Sequence, residues 1–186
     1  MNIGLAIPCH MNDLPFLKFS LNSVRHLSPS PYKVALDIND GDKPLKIIRS
    51  CLFDLLFEKG CDVVLSCDSD FWLFPSILEN VRDDIAMSFA ELKHNISDLY
   101  GTIIRLFWSG SWSGCYTLPK RIWENQIRDF WDGTDGSVKK LLKGNYIFVR
   151  KFQYYDLRPF RRDAVNLLLS EKSLIKRMFW KFTRLH

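Results

Sequence analysis

Short apolar runs alternate with amphipathic segments along the first ninety residues of the chain. The apolar runs predict strands, whereas apolar residues three and four positions apart predict helices. The expected strands cover residues 3–7, 32–38, 62–67 and 85–90, and the expected helices cover residues 14–24, after a cap at Asn12 or Asp13, and 45–59. This alternation favours right-handed βαβ units around a mostly parallel sheet, in an α/β fold with helices on its faces.

The length and composition fit one globular domain. The chain has 186 residues, of which 47% are hydrophobic, enough to bury a core. No apolar run approaches the ~18 residues of a membrane-spanning helix, and the N-terminus lacks the basic region of a signal peptide. The 5 cysteines include no C-x-x-C pair, which indicates a reducing compartment. The sequence therefore predicts a soluble, cytoplasmic protein.

The positive charge is concentrated at the C-terminus. Residues 150–186 hold ten basic and three acidic residues, whereas residues 1–149 hold 16 basic and 18 acidic ones. Apolar residues also recur at helical spacing there, at Ile175, Met178, Phe179, Phe182 and Leu185. We expect a basic amphipathic segment over residues 151–186 after a domain at residues 1–150. Residues 172–186 would lie on an anionic membrane, as a peripheral contact at its inner surface, or pack on the domain.

Two carboxylates follow the third expected strand, at Asp68 and Asp70. Side chains two positions apart on a strand project to the same side, and two such acids repel each other unless a cation lies near them. A divalent cation that is shared with substrate phosphates would resolve this repulsion. Two solvated loop acids are the simpler alternative. The chain has no G-x-x-x-x-G-K-[ST] loop, so a metal is the expected phosphate ligand.

The order of these elements, with Val63-Val64-Leu65-Ser66-Cys67-Asp68-Ser69-Asp70 at the end of the third strand and Pro75 soon after, resembles the GT-A-fold nucleotide-sugar glycosyltransferases. The similarity is to compact members such as those of crenarchaeal viruses, and it covers residues 1–150. It implies a nucleotide-sugar half at residues 1–90 and an acceptor half at residues 91–150. The implied reaction moves a sugar from a UDP- or GDP-linked donor to a glycan, protein or lipid-carrier acceptor.

The resemblance also implies roles for residues at the strand ends. Asp70 would coordinate Mn²⁺ or Mg²⁺ at the donor diphosphate, and Asp68 would reach the ribose or the metal. Pro8 and Cys9 would line the nucleotide base, and Asp37 would hydrogen-bond the base or the ribose. A turn-capping role for Asp37 is an equal alternative. Independently of the family, a cation would stabilise the negative charge on a departing diphosphate.

An aromatic, flexible segment follows in the acceptor half, between residues 107 and 116. Aromatic rings offer flat apolar faces to sugar rings, and neighbouring hydroxyls and amides fix their orientation. Trp112, which lies between two Ser-Gly pairs, is the stronger acceptor-binding candidate. Trp108 fits an acceptor-binding role and a core strand equally well.

A second acidic segment precedes an expected helix at residues 138–143. In inverting members of the family, an acid at the start of this helix takes the proton of the acceptor hydroxyl, which requires hydrogen-bond reach. We expect Asp135 in this role, with Asp132 as the alternative. The usual Glu-Asp pair is replaced here by Thr134-Asp135. Asp135 could also act as an N-cap, worth ~1 kcal/mol to the helix.

Two other functions are compatible with parts of this pattern. A nucleotidyltransferase also uses a nucleotide, a metal and paired acids, but it usually has a Gly-rich basic loop after the first strand, which is absent here. A nucleic-acid-binding module could use the basic C-terminus with its aromatic residues. That function leaves Asp68 and Asp70 unexplained, so a nucleic-acid partner is not expected.

Overall fold

The computed structural model describes residues 1–92 and 114–157 of the chain. Trp108, Trp112 and residues 158–186 of the basic segment lie outside the described residues, so the predictions made for them stay predictions. No helix in the described part is long and apolar enough to span a bilayer.

Seven strands and four helices occur in the described residues. The strands are β1 (Ile3–His10), β2 (Lys33–Asn39), β3 (Val63–Ser66), β4 (Phe71–Leu73), β5 (Ala86–Leu92), β6 (Tyr116–Pro119) and β7 (Tyr146–Asp156), and the helices are α1 (Leu14–Val24), α2 (Leu45–Glu58), α3 (Lys120–Ile122) and α4 (Asp135–Leu142). Short 3-10 turns cover Met11–Asp13 and Pro75–Leu78, and a π-helical turn covers Trp123–Ile127. The four strands and two helices expected in the first ninety residues are confirmed.

One sheet joins all seven strands, in the order β2-β1-β3-β6-β5-β7-β4. Strands β1, β2, β3, β5 and β7 run in one direction, and β6 and β4 run in the other. The predicted α/β sheet in which most strands run in one direction is therefore confirmed, and it is a mixed sheet because three of its six neighbouring pairs are antiparallel. β7 pairs with β5 as far as Tyr155 and with β4 as far as Asp156, so the sheet continues past residue 150, where the basic segment was expected to begin.

Helices cover both faces of the sheet. On one face, Leu17 of α1 packs with Leu5 and Ile7 of β1. On the other face, Leu52 of α2 and Val138 of α4 belong to a second buried cluster. α2 buries only one side of its surface because its apolar residues repeat at helical spacing. The sheet is thus the middle layer of a three-layer α/β structure.

β1 continues through Pro8, which was expected to end it. The Cys67 N–H donates to the Ala6 carbonyl at 3.2 Å, so even-numbered residues of β1 direct their backbone groups towards β3. Pro8 therefore lacks its N–H on the β3 side, where the pairing of β1 with β3 has already ended at Ala6. The pairing of β1 with β2 continues to His10.

The chain changes direction across β1, and this change locates the site. From β1 it passes to β2 on one side, and later to β3 on the other side of β1. Ligands of open α/β sheets bind at such a switch point, outside the carboxyl ends of the strands. Here the switch point lies between the end of β1 and residues 67–70 after β3.

Candidate active site

The acidic turn after β3 lies at the switch point and is held by backbone hydrogen bonds. The Phe71 N–H donates to the Asp68 carbonyl at 3.2 Å, and the Leu157 N–H donates to the Asp70 carbonyl at 2.8 Å. Asp70 is buried, at 4% exposure, whereas the Asp68 side chain is 29% exposed. The end of β7 therefore lies against this turn and helps to fix both acids at the strand end.

A buried arginine joins this turn to the second acidic segment. Arg49 of α2 donates from Nη2 to Asp68 Oδ1 and from Nη1 to Asp135 Oδ1, both at 2.7 Å. Its side chain is only 3% exposed. Burial alone lowers the pKa of Arg49, but Tyr116, Asp68 and Asp135 raise it overall. The guanidinium stays charged and holds the two carboxylates on either side of it.

The charges of this site do not cancel. Asp68, Asp70 and Asp135 contribute three negative charges when ionised, and Arg49 contributes one positive charge, which leaves two negative charges. Burial raises the pKa of the nearby Cys67 thiol, Asp68 and Asp70 raise it further, and Arg49 lowers it. The cluster is therefore suited to a cationic ligand or cofactor.

The start of α4 differs from the expected arrangement. Thr134 is the N-cap, with its Oγ1 accepting the Ser137 N–H at 3.3 Å, and Asp135 is the first helical residue. The alternative in which Asp135 is itself the N-cap is therefore wrong. Because Thr134 provides the cap, the Asp135 carboxylate can pair with Arg49.

Gly133 sets the distance between this loop and α2. Its φ of +94° is disfavoured for residues with a side chain, and a Cβ there would lie 2.7 Å from the Cβ and 2.8 Å from the Cα of Lys46. Its carbonyl also lies 3.4 Å from Arg49 Nη1. Only glycine fits this position without displacing α2. This close approach brings Asp135 within reach of Arg49.

Buried aromatic side chains pack against the loop that precedes α4. Trp131 is fully buried and stacks on Phe53, with ring centroids 5.8 Å apart, and packs edge-on against Trp123 at 5.6 Å. The Trp131 indole N–H donates to the Thr134 carbonyl at 2.8 Å. The loop that carries Asp135 is thus anchored to α2 through the core.

Asp132 makes different contacts. Its Oδ1 accepts the N–H of Thr134 at 2.8 Å and the hydroxyl of Thr134 at 2.7 Å. Hydrogen bonds from Ser137 and Thr134 lower the pKa of Asp132 to about 2. A carboxylate with such a low pKa accepts a proton poorly. The structure places Asp135, rather than Asp132, beside Arg49 and Asp68.

The residues predicted to bind the nucleotide lie on two adjacent strands. Pro8 pairs with Asp37 in the register of β1 and β2, so these two residues are neighbours at the sheet end. Asp37 is half-buried. Cys9 is 1% exposed and belongs to the apolar core, so its side chain packs inward. Cys9 can therefore contribute only its backbone to a ligand surface.

Oxygen ligands for a divalent cation lie at the end of β3. Asp70 and Asp68 have the hard carboxylate donors that Mg²⁺ and Mn²⁺ prefer, and three acidic side chains and one arginine lie in their site. In residues 1–92 and 114–157, no three His, Cys, Asp or Glu side chains form a metal-binding group. A cation held by these two carboxylates would need its remaining ligands from substrate phosphates and water.

Arg49, the residue that links the site, was not found by sequence reasoning. An indication was present, because Arg49 lies on the apolar stripe of α2, next to Ile48 and one turn before Leu52 and Phe53. A cation on a buried helix face requires an acidic partner. The sequence does not identify that partner, because Asp68 and Asp135 are distant along the chain.

This chain resembles known proteins in its fold. No protein-family model matches the sequence, and neither does any curated protein. The fold is similar to S. aureus TarS residues 1–349, with a TM-score of 0.56, 13% identity and coverage of 92% of this chain. The chain spans 65% of that structure and 58% of TarS in complex with UDP-GlcNAc.

Two further neighbours support the same fold. A glycosyltransferase involved in glycosylation of the major capsid of PBCV-1 has a TM-score of 0.52 and 10% identity, with 90% of this chain and 100% of that chain covered. Glucosyl-3-phosphoglycerate synthase from Mycobacterium tuberculosis, solved with Mn²⁺, UDP-glucose and phosphoglyceric acid, has a TM-score of 0.50 and 11% identity, with 91% and 79% covered. At such low identity these likenesses show the fold alone, and that fold is the GT-A fold of glycosyltransferases.

Proposed function

We propose that this protein is a metal-dependent glycosyltransferase that moves a sugar from a nucleoside-diphosphate donor to a hydroxyl acceptor. The observation that carries the proposal is the bridge from Asp68 through Arg49 to Asp135, with both contacts at 2.7 Å. This bridge joins the acidic strand end at the switch point to a second carboxylate. Its place in a GT-A fold, shared with UDP-sugar-binding TarS, supports the assignment.

The donor nucleotide would lie across the ends of β1 and β2. The adjacent positions of Pro8 and Asp37 support contacts to the base and the ribose. Asp68 would reach the ribose, and the backbone of Cys9 would complete the surface. A UDP- or GDP-linked sugar fits this arrangement, and the donors bound by TarS and by the mycobacterial synthase are UDP-sugars.

Asp70, assisted by Asp68, would hold Mn²⁺ or Mg²⁺ at the donor diphosphate. The net negative charge of the site and the Mn²⁺ in the mycobacterial neighbour support this assignment. When bound, the cation would offset the negative charge that develops on the departing diphosphate. Arg49 fixes the orientation of Asp68, so that this carboxylate keeps its position whether or not substrate is present.

Asp135 would act as the general base of an inverting reaction. The acceptor oxygen forms a bond to the anomeric carbon, the bond from that carbon to the diphosphate breaks, and the hydroxyl proton passes to Asp135. Arg49 holds Oδ1 of Asp135. A methyl group added at Gly114 would come within 3.3 Å of Oδ2, so a small residue there leaves space on that side of the carboxylate. Asp132 is the weaker candidate because its pKa is about 2.

The acceptor would be a glycan, a protein or a lipid carrier. Trp112 and Trp108 are proposed to contact its sugar or aglycone by apolar stacking. A cytoplasmic protein that contacts the inner membrane surface through residues 172–186 would reach a lipid-carrier acceptor. This part of the proposal depends on the sequence alone.

Titration calorimetry tests the donor site. Purified protein is titrated with UDP, GDP and their sugars, with and without Mn²⁺, alongside Asp70→Asn and the exposed control Asp83→Asn. We expect metal-dependent binding of one nucleotide that Asp70→Asn abolishes and Asp83→Asn retains. The absence of any nucleotide binding by wild-type protein with Mn²⁺ would refute the proposed site.

Product analysis separates the reaction classes. Transfer of an isotope-labelled sugar, followed by NMR of the anomeric configuration, should show inversion. Retention of configuration would exclude the single-displacement role of Asp135. Release of pyrophosphate from a nucleoside triphosphate and a sugar phosphate would favour the nucleotidyltransferase alternative.

A further inference from the structure

One of the two edge strands of the sheet, β2, has an unusually apolar surface. β2 pairs with β1 and with no other strand in the described residues. Apolar side chains along it are between 38% and 48% exposed, at Val34, Leu36 and Ile38, and Tyr32 just before the strand is 50% exposed. Edge strands of monomeric proteins are usually protected by bulges, prolines or inward-pointing charges. The seven-residue ladder of β2 has a continuous register with no bulge and no proline, and its charged residues, Lys33 and Asp37, lie on either side of the apolar pair Val34 and Leu36.

The backbone of β2 presents hydrogen-bonding groups at its free edge. Because even-numbered residues of β1 face β3, odd-numbered residues such as Leu5 and Ile7 face β2. These residues lie opposite Val34 and Leu36 in the parallel register. In a parallel pair of strands, a residue whose backbone N–H and C=O bond to the neighbouring strand lies opposite a residue of that strand whose own N–H and C=O point to the other side. Val34 and Leu36 therefore direct their backbone donors and acceptors outward.

The charges on the other side of the strand are self-complementary. Lys33 and Asp37 share one face of β2, with Ala35 midway between them. Within residues 1–92 and 114–157, neither residue forms an ion pair. In an antiparallel pairing of two β2 strands centred on Ala35, Lys33 of each copy lies opposite Asp37 of the other. The same register places Val34 opposite Leu36 and bonds their outward backbone groups.

We propose that β2 is a dimerisation edge, at which a second copy of this chain adds its own β2 in antiparallel register about Ala35. The two sheets become one continuous sheet, with apolar pairs on one face and two Lys33–Asp37 pairs on the other. Opposite charges in directly facing positions stabilise such a pairing, whereas like charges oppose it. This inference can be tested without substrate, but it shares Asp37 with the proposed donor site, so the variants are compared by self-association and not by turnover.

The register is tested by reversing one charge at a time in the full-length chain. Lys33→Asp places acids opposite Asp37, and Asp37→Lys places lysines opposite Lys33. Sedimentation equilibrium should give a wild-type dimer and at least about tenfold weaker self-association for each variant. Lys43→Asp, the same charge change in an exposed loop, should associate as wild type does. Circular dichroism checks that each variant is folded.

Mixing the two weakened variants provides a second test. Lys33→Asp and Asp37→Lys have complementary edges, so an equimolar mixture should form a heterodimer of about wild-type affinity. Cys51 is exposed and the other four cysteines are buried, so donor and acceptor dyes attached at Cys51 report mixed dimers by energy transfer. A monomeric wild-type protein, equal weakening by Lys43→Asp, or a mixture that remains monomeric would each overturn the proposal.

Discussion

The two strands that flank β1 differ in where they place charged and apolar side chains. On the β3 side, Arg49 is buried at 3% exposure, between the carboxylates of Asp68 and Asp135. On the β2 side, Val34 and Ile38 are 44% and 48% exposed. Charge is buried on one side of β1, and apolar surface is exposed on the other. Both arrangements depart from the usual distribution of side chains in a globular domain.

The two departures differ in how they are stabilised. The buried guanidinium has ionised partners in the same chain, so most of its desolvation cost is offset within the fold. The exposed strand has no such partner among the described residues. A buried charge cluster with excess negative charge indicates a ligand, whereas an unprotected strand edge indicates a second polypeptide. The contrast therefore places the cluster of Arg49, Asp68 and Asp135 on the β3 side of β1 and the proposed association edge on the β2 side, whose strand end also belongs to the proposed donor site.

Removing the buried cation should have the largest effect on stability. In Arg49→Met, Asp68 and Asp135 lose their shared partner and repel each other, and we expect a loss of about 3 kcal/mol of unfolding free energy. Urea denaturation followed by circular dichroism measures it. Arg49→Lys keeps the charge without the two-pronged geometry and should lose less. Equal losses for Met and Lys would show that the charge contributes nothing.

A substitution at Gly133 should have the next largest effect. Gly133→Ala adds a methyl group 2.7 Å from the Lys46 Cβ at a positive φ, and we expect a loss of about 2 kcal/mol together with reduced turnover. Gly60→Ala is the matched control, because its φ is +87° and its Cβ would meet no atom within 4 Å. If both variants lose the same stability and activity, the contact with Lys46 does not position Asp135.

The contrast between the two sides of β1 also predicts that the same substitution, isoleucine to valine, changes the unfolding free energy by different amounts at a buried and at an exposed position. Ile7 is fully buried and Ile38 is 48% exposed. Ile7→Val should cost about 1 kcal/mol because it leaves a small cavity. Ile38→Val should remain within about 0.5 kcal/mol of wild type, at concentrations below the dimer dissociation constant. Equal costs would mean that another part of the chain buries β2.

Substitution of Asp132, which lies outside the Arg49 bridge, should have the smallest effect on stability, and this effect appears only at low pH. Hydrogen bonds from Ser137 and Thr134 lower the pKa of Asp132 from 3.8 to about 2. Asp132 therefore stabilises the fold above the unfolded pKa, and this contribution is lost as the pH falls from about 4 to about 2. Asp132→Asn should lose less stability than wild type over that range. Carboxyl NMR titration of wild-type protein would contradict this if Asp132 titrated near its ordinary value.

Local sequence patterns identified much of the first half of the fold. The strands and helices of residues 3–90 are long enough to show their apolar periodicity, and turn residues such as Gly60 mark their ends. β4 was not expected, since three residues cannot display a period. The extension of β1 through Pro8 was also missed, because the direction of the missing N–H depends on which strand lies beside it.

The acidic residues were easier to find than the groups that position them. Asp68 and Asp70 follow a buried strand, so local rules identify them as candidates, whereas Asp135 became a candidate through the family resemblance, by its place near a helix start. Arg49 and Gly133 act through contacts with residues far away in sequence. Asp132 and Asp135 look alike in the sequence, and only their different hydrogen-bond partners distinguish them.

The sequence by itself determined the alternation of strands and helices, the acidic strand end and the apolar character of β2, because each depends on residues within one or two turns of chain. Only the tertiary structure decided that Arg49 joins Asp68 to Asp135 and that β2 lies at the sheet edge. Strand order and ion pairing depend on which distant segments come into contact. Burial makes these contacts important for stability, because a charge that is solvated at the surface requires an ionic partner in the core.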